Sequence, residues 1–192
     1  DEFFGGYNIY REPHDLAGFQ KLPLGLRKGL AACAKHIPFK FKGKNFLIRA
    51  SKPVEERFIG NAFMFNEEER SRVLKNPTGK YNHTELTKPF YDKVRDQDQV
   101  TQMQYIDLHL WMTGDILLKA DKMSMAHSLE LRVPFLDRKV MELAEQIPVK
   151  DRVTETETKY AMRLAALQAC PPQTAKKKKL GFPVPICLLY TS

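Results

Sequence analysis

The sequence contains no apolar run long enough to cross a bilayer, because a spanning helix needs about 20 consecutive apolar residues. The acidic opening, Asp1-Glu2, does not read as a secretory leader. Cysteine is scarce: Cys33, Cys170 and Cys187 are odd in number and far apart. That spacing argues against a disulfide framework and against a zinc site, and it fits a reducing cytoplasm. His109 and His127 have no Cys or His at ligand spacing, so no metal is expected through them. No segment alternates apolar and polar residues convincingly, so no sheet is expected beyond a short pairing. Internal repeats and low-complexity linkers are absent as well.

What is present is a chain of 192 residues, 43% hydrophobic and 28% charged. It is long enough for one domain with a sizeable core and is not of disordered composition. Its 31 basic and 23 acidic residues leave a net charge of +8. A basic balance suits nucleic acid or an anionic small molecule. The only basic run, Lys176 to Lys179, lacks the interleaved aromatics that stack bases. A phosphate-bearing small molecule is therefore the favoured ligand, with neither nucleic acid nor membrane as partner.

Helical periodicity dominates the pattern. Leu22, Leu26 and Leu30 mark an amphipathic helix over 22–36, followed by a basic loop over 40–44. Pro53 opens a short helix to about Asn61. Asn66 with Glu69 resembles a capping box for a helix to Leu74. Asn76 to Gly79 is turn chemistry. A helix over 84–95 is expected to kink at Pro89. Gln99 to Met112 is a strong helix in which Asp107 falls on the apolar face. A buried acid needs a partner, and scaffold pairing is favoured over a role in chemistry. Gly114 reads as a break, with Asp115 capping a new helix to about His127.

The densest chemistry lies in KADKMSMAHSLELRVPFLD, residues 119–137. Val133-Pro134 forces extended backbone, and Asp137 is placed to cap a helix over 138–146. Glu130 with Arg132 reads either as a solvated pair, worth under about 1 kcal/mol, or as part of a site. A last helix over 157–169 puts Lys159 and Arg163 one turn apart, which is either a basic stripe or an anion contact. The lysine run then enters Gly181-Phe182-Pro183-Val184-Pro185, a stiff apolar segment.

Three ordered stretches, DEFFGGY, DKMSMAHSLELRVPFLD and KLGFPVP, together resemble the asparagine synthetase family. The first matches the second half of its Gly-Glu-Gly-x-Asp-Glu-x-Phe-Gly-Gly-Tyr motif, whose glutamate falls before Asp1. The resemblance covers residues 1–186, read as part of a synthetase domain, an internal piece of a longer chain. Residues 187–192 (CLLYTS) read as a non-native tail. The fold it implies is mainly α in this stretch. It is the helical C-terminal portion of an α/β domain of the ATP-pyrophosphatase (adenine nucleotide alpha hydrolase-like) type. The family's Ser-Gly-Gly-x-Asp-Ser phosphate loop and glutaminase domain lie upstream.

The activity it implies is that of a ligase in asparagine biosynthesis. Aspartate attacks the α-phosphate of ATP, giving β-aspartyl-AMP and pyrophosphate, and ammonia released from glutamine displaces AMP. Related carboxylate-amidating or β-lactam-forming synthetases are the first alternative. A non-catalytic basic helical module is the second. By the resemblance, Lys179 is the catalytic lysine, Lys159 and Lys177 bind ATP or pyrophosphate, and Asp1 holds Mg²⁺. Lys119, Asp121, Ser124, Glu130 and Arg132 line the substrate pocket. Lys177 stands where the family often carries arginine, which weakens any bidentate contact. A homodimer is left open.

Overall fold

The computed structural model describes residues 1–37, 41, 43–61, 63–65, 67–76 and 82–178. It is built from helices, and among the described residues the only β pairing is an isolated antiparallel bridge, Val153 to Thr158. The first half carries α1 (Glu12–Gln20), α2 (Leu24–His36), α3 (Lys44–Ala50), α4 (Val54–Arg57), α5 (Glu67–Val73) and α6 (His83–Tyr91). The second half carries α7 (Gln99–Ile106), α8 (Leu118–Met125), α9 (Arg138–Glu145), α10 (Val149–Arg152), α11 (Tyr160–Ala169) and α12 (Pro172–Ala175). A mainly α chain is what the periodicity called for.

The core gathers Tyr10, Val54, Phe58, Tyr91, Val100, Met103, Ile106 and Val153. Each fully buried aliphatic or aromatic side chain contributes about 1.5–3 kcal/mol. α7 is the central strut. Asp98 caps it, its carboxylate accepting from the Thr101 amide at 3.0 Å. The acid on its apolar face, Asp107, is fully buried and fully partnered. Tyr10 Oη donates to Oδ2 at 2.6 Å, the Asn61 amide N–H to Oδ1 at 2.8 Å and Asn61 Nδ2 to Oδ2 at 2.6 Å. This is the scaffold role favoured for it. Burial is the strongest influence on its carboxyl and leaves the pKa raised despite these donors. A second polar knot joins α1 to the segment around α4. Arg57 Nε donates to Glu12 at 3.0 Å, Arg49 pairs with the same carboxylate, and Arg57 reaches Gln99 at 2.5 Å.

Several sequence expectations are corrected. Gly114 does not break the helix, and Asp115 caps nothing. α7 runs straight into a π-helical stretch, Asp107–Leu117, and on into α8. An interior glycine costs about 1 kcal/mol, which does not outweigh a helix continued on both sides. Asp115 instead pairs forward with Lys119 at 3.2 Å, four residues on. α8 ends at Met125, and Ser128, at φ 54°, turns the chain. α2 forms, but from Leu24 rather than Leu22, and it buries Ala31 and Ala34 while Leu22, Leu26 and Leu30 stay exposed. The helix after Pro53 stops at Arg57 rather than near Asn61, which is drawn out to Asp107. α3 had no counterpart in the sequence reading. The capping residue Asn66 and most of the 76–79 turn lie outside the described residues.

Candidate functional site

The site is built where the chain's first turn meets the start of α11. Gly5 has φ +68°, a left-handed conformation that a side chain resists. A Cβ there would also sit 2.5 Å from Val153 Cγ2. At Gly6 a Cβ would collide with the Asp1 carboxylate and with Lys159 Cε, and would lie 2.9 Å from Asp1 Cα. The two glycines thus let the turn fold back, with the Gly6 N–H donating to the Asp1 carbonyl at 2.6 Å.

Lys159 completes the corner. Its Nζ is ion-paired with Asp1 Oδ1. Its backbone is left-handed, φ 56° and ψ 35°, so α11 begins at Tyr160 and not at 157. The kink turns the Lys159 side chain back over the Asp1–Gly6 turn. Burial, and then the nearby Arg163 charge, lower the pKa of Lys159, while Glu2 opposes them. A nonglycine residue held at positive φ in a half-buried charged corner is a feature often found at functional sites.

Residues that sequence reasoning missed hold this corner in place. Gln104 on α7 donates to the carbonyls of Glu2 at 2.5 Å and Phe3 at 3.1 Å. Arg152 fixes Gln104 from the far side, Nη1 to Oε1 at 2.6 Å, and also reaches Thr101 Oγ1 at 2.8 Å. Tyr7 Oη donates to Glu2 Oε1 at 2.7 Å and accepts from Trp111 Nε1 at 3.3 Å. That donation helps keep Glu2 below the usual carboxylate range, although burial, the largest influence, pushes the other way. Gln104 carried one available signal, an amide between Met103 and Ile106 in a segment otherwise reading as core. Tyr7 and Trp111 carried none, since their pairing spans 104 residues.

The C-terminal lysines approach from α12. Arg163 Nε donates to the Thr158 carbonyl at 3.1 Å, and Nη1 donates to the carbonyls of Ala175 at 3.0 Å and Lys177 at 3.1 Å. The backbone at Lys177 is thereby tied to the residue preceding Lys159. Lys179 and the Gly181–Pro185 segment lie outside the described residues.

The remaining candidates stand apart from this corner. Lys119 pairs with Asp115, Ser124 Oγ donates to the Asp121 carbonyl at 3.1 Å, and Arg132 pairs with Glu130. The last two are 83% and 71% exposed, which is the solvated-pair geometry. None of these five side chains touches Asp1, Lys159 or Lys177. The segment is helix, extended turn, helix as expected. Asp137 caps α9 through the Lys139 amide at 2.8 Å. Its apolar residues, Met125, Leu129, Leu131 and Phe135 among them, are exposed.

Among the described residues, no group of three or more His, Cys, Asp or Glu side chains is placed to hold a metal ion. Nor is any helix there long and apolar enough to cross a membrane. Asp1 offers one carboxylate, whose Oδ1 is ion-paired with Lys159; a single carboxylate is a donor that Mg²⁺ accepts alongside substrate phosphates.

Residues 1–191 match the family model described as asparagine synthase. The chain is 46% identical over 186 residues to asparagine synthetase [glutamine-hydrolyzing] 1 of Bacillus subtilis (strain 168), covering 97% of this chain and 29% of that protein. It is 29% identical over 136 residues to asparagine synthetase [glutamine-hydrolyzing] 3 of the same organism, covering 65% of this chain and 22% of that protein. The chain therefore spans less than a third of the length of these curated relatives. No solved structure gives a significant match.

Proposed function

We propose, from the premise that the chain belongs to the asparagine synthase family, that its parent protein is an ATP-dependent ligase that amidates aspartate with ammonia taken from glutamine. The observation that carries the reading is the Asp1–Lys159 corner, with the Lys177 backbone tied to it through Arg163. An acyl-adenylate step concentrates negative charge on a phosphate chain, and fixed cations are the groups that stabilise it. On this reading Lys159 and Lys177 supply the ammoniums. Asp1 would hold Mg²⁺, which adds charge neutralisation at the phosphates when bound. Lys159 must then leave Asp1 and turn to the phosphates. Its lowered pKa, set by burial and by Arg163, marks an ammonium that gains from an anionic partner.

Lys119, Asp121, Ser124, Glu130 and Arg132 form the wall that receives aspartate once the upstream part of the domain covers them. The phosphate loop and the glutaminase domain belong to that upstream part, and the 192-residue chain alone releases no pyrophosphate on this reading. The family match and the 46% identity favour this ligase over a non-catalytic basic helical module. Cys33 and Cys170, both exposed free thiols, suit a reducing cytoplasm.

The test is made in the full-length protein. Lys179→Ala is expected to abolish aspartate-dependent pyrophosphate release, a loss of about 10²–10³-fold or more. Glutamine hydrolysis should persist. Lys176→Ala, an exposed charge in the same run, should be nearly silent. Equal behaviour of the two variants would overturn the assignment of Lys179. Amidation of a carboxylate other than aspartate by the intact protein would overturn the substrate.

A further inference from the structure

Among the described residues, the hydrogen bonds of Arg163 all end on backbone carbonyls: Thr158 at 3.1 Å, Ala175 at 3.0 Å and Lys177 at 3.1 Å. The first of these precedes Lys159. The other two lie at and just beyond the C-terminal end of α12, where helix carbonyls have no partner within the helix. Lys176, Lys177 and Lys178 are exposed and form no ion pair among the described residues. Beside the packing of the buried Ala175, the Arg163 guanidinium is what hydrogen-bonds this lysine segment to α11. That guanidinium also stands one turn from Lys159 on the same helix face.

We propose that Arg163 is a positioning residue that sets the backbone distance between Lys159 and Lys177, so that both ammoniums meet the same polyphosphate. The inference rests on the reading that these two lysines bind phosphate. The guanidinium is suited to the task because its planar fork serves several carbonyls in fixed directions, which a lysine ammonium on a flexible stem does not. Arg163 touches no substrate. It acts through the separation of the two lysines, and the family motifs read from the sequence do not include it.

The experiment uses the full-length protein, with ATP as the probe. Arg163→Lys keeps the charge and loses the fork. It is expected to raise the KM for ATP by about tenfold or more, with the KM for aspartate and the rate of glutamine hydrolysis unchanged. In a Lys177→Ala background the same substitution should add little, because the clamp then has no ammonium to place. A merely structural arginine would instead lower the melting temperature, disturb ATP and aspartate alike, and act additively with Lys177→Ala. Those results would overturn the proposal. Arg163→Gln, which keeps one donor and no charge, gives the same reading if Arg163→Lys does not fold, and failure of both to fold would assign Arg163 to the scaffold. If Lys159→Ala and Lys177→Ala leave the KM for ATP unchanged, the phosphate reading itself fails. If they raise it and Arg163→Lys does not, only the positioning role fails.

Discussion

Gly5 and Asp107 each fix one place in the chain, the first turn and the start of the π-helical stretch. Gly5 is left-handed and in close approach to Val153, so any side chain is strained there. Gly5→Ala in the full-length protein is expected to cost about 1–2 kcal/mol from the backbone conformation alone, with more from the contact. Differential scanning calorimetry checks this; an unchanged melting temperature would contradict the geometry. Asp107 has a carboxyl pKa raised above its ordinary value, mainly by burial, with Glu2 adding repulsion and Tyr10 and Asn61 opposing. The folded state therefore holds the proton more tightly than the unfolded chain. The stability this gives is fully present below the unfolded carboxylate pKa of about 4 and is lost as pH rises through the raised folded value. Asp107→Asn removes that titration. The stability of the native protein relative to the Asp107→Asn variant should grow as pH falls from 7 toward 4 in urea titrations, and a constant difference would show that Asp107 is not perturbed.

Between α7 and α8 no turn intervenes. The helical run from Gln99 to Met125 carries a core face at its start and a solvent-exposed face at its end. Asp107, anchored to Tyr10 and Asn61, stands where the regular helix passes into its π-helical stretch. A helix can wind this way where a side chain is held fast while the backbone continues. α11 behaves differently, since Lys159 stops it sharply at its N-terminus. Its kinked entry carries Lys159, and Arg163 on it bonds the Lys177 carbonyl, so α11 links the two lysines.

Over the whole molecule, apolar surface is distributed unevenly. The core around Tyr10, Met103 and Ile106 is closed, whereas the 119–137 segment exposes Met125 at 59% and Phe135 at 61%. α2 exposes Leu24 and Leu26 as well. Exposed large apolar side chains in such number are what a surface covered by another part or partner carries. The chain spans 29% of the length of a relative that it matches at 46% identity. The 192-residue chain alone is thus expected to bind a hydrophobic dye such as ANS strongly, and the full-length protein to bind it weakly. Equal dye binding by both would mean that the face stays open in the intact protein.

Local chemistry was legible in the sequence wherever neighbours along the chain decide the outcome. Asp137 and Asp98 cap their helices through amides two and three residues on, although only the first was expected. Pro53 begins α4, and Val133-Pro134 leaves the helical region. The three ordered motifs carried the family, because the order of chemically distinct residues is a property of the chain itself. Tertiary structure decided the rest. Gly114 and Asp115 looked like a boundary, but a helix continued on both sides outweighs a single glycine. The α2 leucines are apolar and helically spaced, but periodicity says which residues share a face and not whether anything packs against it. Nor does a side chain name its partner. Gln104 with Glu2, Trp111 with Tyr7, and Arg163 with Lys177 are joined by hydrogen bonds across separate elements, and such bonds exist only once the helices bring their donors and acceptors within about 3 Å.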